Sequence, residues 1–225
     1  MATFGKLFLG VWIALVLVAT FLWLPSAVPA AAGGVFSSPD LARIIILHLP
    51  NSMVVIVAAF VSGWYALRYL TRGRDPVDDI RSKTSVALAA LFCVLATVTG
   101  SVFARVEWGA YWNWDPKQIC IFLLLLIYAA YFVLRAGIED AEKRASVCAV
   151  YVLFAVVMTP MLGYVVPKYM ATQSLHPKNT QFDAAYSWTL LAAGAGFIGL
   201  YAWLQNIAVR ADLVRMAWEE YQCKE

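Results

Sequence analysis

KQICIFLLLLIYAAYFVLR, residues 117–135, carries no charged side chain between Lys117 and Arg135. Its length approaches the roughly 20 apolar residues a helix needs to cross a hydrocarbon core about 30 Å thick. In lipid every backbone N–H and C=O must be bonded internally, so the run reads as a helix and not as an isolated strand. The same reading extends in both directions along the chain. The intervals from Lys6 to Asp40, Arg43 to Arg68, Lys83 to Arg105, Arg144 to Lys168 and Asp183 to Arg210 also have no charge inside them. The expectation is an all-α polytopic membrane protein, one membrane domain over 1–225, with six transmembrane helices near 7–25, 48–68, 85–104, 117–135, 146–166 and 184–208.

Composition agrees. Of the 225 residues 62% are hydrophobic and only 14% charged, against about a quarter charged in soluble domains. Such a surface faces lipid. A net charge of +3, scattered without a long basic run, gives no footprint for nucleic acid. Cys93, Cys120, Cys148 and Cys223 form no C-x-x-C pair, so neither a disulfide framework nor a zinc site is indicated. The first apolar run competes with a cleavable signal peptide ending in Ala30-Ala31-Ala32. Leu7 to Leu24 is unbroken and longer than a usual signal core, so a retained helix is expected.

Basic residues orient the helices. With the N-terminus inside, twelve of the seventeen Lys and Arg fall on inner segments and five on outer ones. The positive-inside rule then puts both termini in the cytoplasm. The inner segment 71–83, with its mixed charges, reads as an exposed loop suited to docking a partner or simply to solvation.

The unusual residues then collect on the outer face. The chain has two histidines, His48 and His176. Between helices 3 and 4 an outer tryptophan-rich loop, 105–117, contains Trp108-Gly109-Ala110-Tyr111-Trp112-Asn113-Trp114-Asp115. Trp108, Tyr111, Trp112 and Asp115 have the spacing of one face of a short helix, an aromatic shelf on which a flat macrocycle could stack. Interfacial anchoring is the alternative, though four large aromatics in seven residues is denser than anchoring needs. Asp115, followed by Pro116 and with Gln118 three residues on, has the form of an N-cap with a capping-box partner. Each histidine could be a hydrogen-bonding interface residue, or the two could be axial ligands of a heme iron. His176-Pro177 favours extended backbone in a loop reaching over a ligand. Arg43, Arg105, Lys117, Lys168 and Lys178 are the outer cations. Arg43 and Arg105 each precede a candidate ligand or platform residue by only a few positions and are the preferred anion-binding pair, with ordinary headgroup contacts as the alternative.

The segment 108–115 matches the W-G-x-x-W-x-W-D motif of the heme-handling proteins of cytochrome c maturation. With six spans, a comparable length and a histidine in each flanking outer segment, the chain resembles the CcmC branch, heme exporter protein C. The resemblance implies heme b as the bound group, His48 and His176 as its axial ligands, and Trp108, Tyr111, Trp112, Trp114 and Asp115 in its platform. It also implies the bacterial inner membrane, with the heme site on the periplasmic face. The implied partners are a membrane-anchored CcmE-like heme chaperone that receives the heme, CcmA- and CcmB-like ABC transporter subunits, and a small single-span CcmD-like subunit. Tyr111, Asp115-Pro116-Lys117 and His176-Pro177 also resemble the CcsA-type subunit of cytochrome c synthase, so a heme lyase is the alternative. Such synthases carry more spans and a further histidine pair, which favours a binding protein that is not an enzyme. An ion- or proton-coupled transporter is disfavoured because the apolar runs contain no ionisable carboxylate, Lys or Arg. The absence of G-x-x-x-x-G-K-[ST] excludes an ATPase within this chain.

Overall fold

A computed structural model describes residues 3–27, 36–170, 173–176 and 182–222. Among them lie six helices long and apolar enough to cross a membrane, and no β-strand. They are α1 (Thr3–Val18), α2 (Ile45–Thr71), α3 (Pro76–Trp108), α4 (Pro116–Ala136), α5 (Ala141–Pro160) and α6 (Ala184–Gln222). Wider π-type turns continue α1 through Ala19–Trp23 and α5 through Met161–Met170, and a 3₁₀ turn, Leu41–Ile44, leads into α2. Cys223 and residues 177 and 178 lie outside the described residues.

The helices are longer than the apolar runs because their ends are capped by polar side chains outside the runs. Asp75 accepts from the Val77 N–H ahead of Pro76, and Asp140 accepts from the Lys143 N–H, closing the first turns of α3 and α5. α3 therefore starts well before Lys83. The segment 71–83, expected as an exposed loop, is a short turn followed by helix, and its Asp78 is only 2% exposed. At about 1.5 Å per residue, the 33 residues of α3 span some 50 Å, more than the hydrocarbon core.

α2 is the central helix and packs most extensively against α3, then against α5 and α6. Small side chains permit this approach. Ala58, Ser62 and Ala66 on α2, and Ser85, Ala89 and Cys93 on α3, recur every fourth residue and are all buried. Gly63 is so close to α5 that a β-carbon there would lie 2.5 Å from Val156 Cγ2. α1 packs chiefly along α6, where Gly199 admits Leu9 and the Trp12 indole donates to the Ala192 carbonyl at 2.9 Å.

Several charges in the end turns are paired. At the end of the bundle remote from the tryptophan-rich segment, the Arg135 guanidinium grips Asp79 with two hydrogen bonds of 2.9 and 2.6 Å. Lys83 meets Asp212 at 2.6 Å, and Arg68 meets the buried Asp78 at 3.2 Å. At the other end a second apolar cluster of Leu24, Phe36, Ile46, Phe103 and Tyr186 packs beneath Trp108.

Candidate functional site

Two helix ends build the site. α3 continues through Trp108 and stops where Gly109 takes φ 81°, a left-handed conformation that glycine adopts without strain. α4 begins at Pro116 under an Asp115 cap. The connection is therefore 109–115, shorter than the expected loop 105–117. It is also irregular, so the anticipated short helix with one aromatic face does not form. Local hydrogen bonds hold it in place of helical ones. Gln118 Oε1 accepts the Asn113 N–H at 2.7 Å, and Gln118 Nε2 donates to the Tyr111 carbonyl at 3.4 Å. The Arg105 guanidinium donates to the Gly109 carbonyl and lies 5.9 Å from the Tyr111 ring centre.

The motif's aromatics consequently divide. Trp108 stands edge-on to His176, with ring centres 4.6 Å apart, and to Phe103 at 5.6 Å. Trp112 meets Trp114 at 6.0 Å and Phe122 of α4 at 6.5 Å. Tyr111 and Trp114 present open rings, 61% and 73% exposed. Trp114 has φ 56°, a conformation that costs a bulky residue on the order of 1–3 kcal/mol and tends to persist at functional sites.

Asp115 is the hub. It is 4% exposed, and both carboxylate oxygens are occupied. Oδ1 accepts from the Lys117 N–H at 2.9 Å and faces His176 Nδ1 at 2.8 Å. Oδ2 accepts from the Ser174 hydroxyl at 2.8 Å and the Leu175 N–H at 2.6 Å. Burial alone would raise its pKa, but the donors from Lys117, Ser174 and Leu175, together with His176, hold it below the usual carboxylate value. An ionised carboxylate only accepts, so His176 must donate through Nδ1. Burial lowers the His176 pKa to about 4, with the nearby Lys117 charge adding and Asp115 opposing. The imidazole is therefore neutral at pH 7, with its lone pair on Nε2.

His48 enters from α2, one turn into the helix. Its Nδ1 lies 3.1 Å from Thr99 Oγ1 of α3, and its ring sits over Gly100. His48 and Lys117 are close enough to His176 for their charges to act on it. Two histidines far apart in sequence thus share one end of the bundle with Trp108 and Asp115.

The remaining expected residues are placed as follows. Arg43 donates to the Phe21 carbonyl at 3.4 Å, and its Nε is buried with no partner among the described residues. Arg105 is committed to the loop backbone and Tyr111. Sequence reasoning passed over Thr99, Ser174 and Glu107. The Glu107 carboxylate accepts the Ser37 and Ser38 N–H groups at 2.7 and 3.1 Å, tying the segment ahead of α2 to the end of α3. None of the three has a local motif to announce it, although Glu107 directly precedes the tryptophan-rich segment.

Comparison with known proteins gives consistent results. The family described as CcmC, heme exporter protein C, matches residues 3–224. A heme exporter protein C of Bradyrhizobium diazoefficiens is 27% identical over 177 residues, covering 77% of this chain and 67% of that protein. Its counterpart in Paracoccus denitrificans is 27% identical over 77% of this chain and 73% of its own length. The Rhodobacter capsulatus protein of the same description is 25% identical over 95% of this chain and 89% of its own.

Proposed function

The chain belongs to the heme exporter protein C family, and on that premise we propose that it holds heme between His48 and His176 and hands it to a membrane-anchored chaperone. Membership supports heme handling in cytochrome c biogenesis, and six apolar helices make it a multi-pass membrane protein. The single observation that carries the residue assignment is the state of the two imidazoles. In each, Nδ1 lies within hydrogen-bonding distance of a side-chain oxygen, Thr99 Oγ1 or Asp115 Oδ1, which leaves Nε2 to serve as the iron donor. Bis-histidine coordination of a heme iron uses two neutral imidazole nitrogens of this kind.

The surrounding residues have definable parts. Asp115 orients His176 and, by accepting a hydrogen bond from its Nδ1–H, makes Nε2 a stronger donor. Trp108 packs against the His176 ring and keeps it from turning away. The exposed Tyr111 and Trp114 rings offer apolar area for a flat macrocycle beside the histidines. Arg43, with an unpartnered buried Nε, suits a propionate. Arg105 assists by fixing the loop, and Trp112 by supporting Trp114. Heme so held is noncovalent, of the b type.

The site lies at the end of the bundle that the distribution of basic residues puts on the periplasmic face, with both termini in the cytoplasm. Delivery then goes to a CcmE-like chaperone at the same face. CcmA-, CcmB- and CcmD-like subunits supply the ATP-driven step and accessory contacts. The chain itself is not an enzyme. Heme-loaded protein, incubated separately with apo-chaperone and with an apocytochrome bearing C-x-x-C-H, tests this. Heme should pass to the chaperone, and the apocytochrome should carry no heme after denaturation. Covalently bound heme on the apocytochrome would make the chain a lyase, and heme that never leaves it would refute hand-over.

A further inference from the structure

Deepening the bis-histidine assignment, on which it rests, we propose that Thr99 and Gly100 of α3 are the positioning residues that preset His48 as a ligand. Thr99 fixes its tautomer and Gly100 fixes its ring position.

The Thr99 hydroxyl lies 2.7 Å from the Leu95 carbonyl and 3.2 Å from the Ala96 carbonyl, one turn back in its own helix. Carbonyl oxygens only accept, so the single hydroxyl proton points into α3. The Thr99 lone pairs face His48 Nδ1 at 3.1 Å. With the Thr99 proton so committed, Nδ1 is the protonated nitrogen and Nε2 keeps its lone pair; the Ala96 carbonyl is a second acceptor for the His48 ring. A β-branched threonine on a helix has few rotamers, so this acceptor is rigidly placed.

Gly100 determines where the ring can be. A β-carbon at this position would lie 2.7 Å from His48 Cε1 and 3.2 Å from Nδ1. Those atoms belong to a flat ring already held by Thr99, not to the far end of a flexible chain. An alanine therefore displaces the imidazole from its seat. Neither requirement comes from α2, which carries the histidine. Both come from two adjacent residues of the neighbouring helix, which makes the α2–α3 contact part of the ligand's geometry.

The two histidines are also backed unequally. His176 donates to an ionised carboxylate and His48 to a neutral hydroxyl. The His48 nitrogen is thus the weaker donor.

Two measurements on the full-length protein test the proposal. In apo-protein carrying His176→Gln and labelled with ¹⁵N-histidine, His48 should show the Nδ1–H tautomer. Thr99→Val should shift the population toward Nε2–H, and Thr99→Ser should restore it. Nε2–H in the Thr99 protein, or no change in Thr99→Val, overturns the tautomer assignment without involving heme. In hemin titrations, Gly100→Ala should weaken binding at least tenfold and convert a low-spin spectrum to a high-spin one. Gly10→Ala, where a β-carbon meets nothing within 4 Å, should bind like the parent and controls for a general helix effect. If His48→Ala abolishes the low-spin spectrum while Gly100→Ala leaves it intact, the positioning role fails alone. If His48→Ala leaves the spectrum unchanged, the ligand assignment itself fails.

Discussion

At the scale of single residues, Asp115 shows how one side chain serves structure and chemistry together. The sequence marked it as a helix cap, and it is one: its carboxylate accepts the Lys117 N–H, with Gln118 completing the box. The same carboxylate also faces His176 across 61 positions of chain, a contact that no local pattern encodes. Asp115→Asn should preserve much of the cap, since asparagine caps nearly as well. Its single oxygen can keep both the Lys117 N–H and the His176 Nδ1–H, but it is neutral and so backs Nε2 less strongly than the carboxylate does. Hemin affinity should fall by about 10- to 100-fold with little change in melting temperature; equal loss of both would reduce Asp115 to a cap. The His176 pKa of about 4 carries a sign that can be checked. Because burial depresses it, the ring stays neutral between pH 6.5 and about 4, where an ordinary histidine takes up its proton. Histidine NMR of apo-protein carrying His48→Gln should show a neutral imidazole at pH 5, and a protonated one would contradict this. Trp114→Gly relieves a left-handed backbone, so it should leave thermal stability unchanged or slightly raised while weakening hemin binding. Unchanged affinity would remove Trp114 from the site.

At the scale of elements, the apolar runs made the six helices legible, because lipid demands uninterrupted hydrophobicity over each crossing. Their lengths were less legible. Charged end turns continue helical hydrogen bonding once a cap such as Asp75 or Asp140 starts them, and the pairs Arg135–Asp79 and Lys83–Asp212 compensate the charges there. The tryptophan-rich segment misled at this scale. The i, i+3, i+4, i+7 spacing of Trp108, Tyr111, Trp112 and Asp115 suits a helix, yet Gly109 closes α3 and the Gln118 side chain takes up the backbone groups of an irregular turn. Close helix packing gives a further prediction. Gly63→Ala sets a β-carbon 2.5 Å from Val156 Cγ2, whereas Gly163→Ala meets nothing within 4 Å. The first should cost about 1–3 kcal/mol in detergent unfolding and the second much less. Equal costs would mean that α2 and α5 do not pack this closely.

At the scale of the whole molecule, the sequence placed both histidines at the same end because an even number of spans, helices 2 to 5, separates the start of helix 2 from the start of helix 6. It could not show that Trp108 and Asp115 converge on His176, since that depends on how the loop after α5 folds back. Orientation rests on the basic residues. In a Cys223→Ser background, Tyr111→Cys should react with a membrane-impermeant maleimide added to intact spheroplasts, and Glu139→Cys only after lysis; the reverse pattern would invert the topology. The central claim is that the periplasmic end holds heme between His48 and His176, and one measurement addresses it most directly. Absorption spectra of the purified protein from a heme-replete host would be recorded beside those of His48→Ala and His176→Ala. The expected result is a low-spin Soret and α/β pattern in the parent that is lost or converted in each variant. A parent that takes up no heme even after hemin is added, or variants with the parent's spectrum, would contradict it.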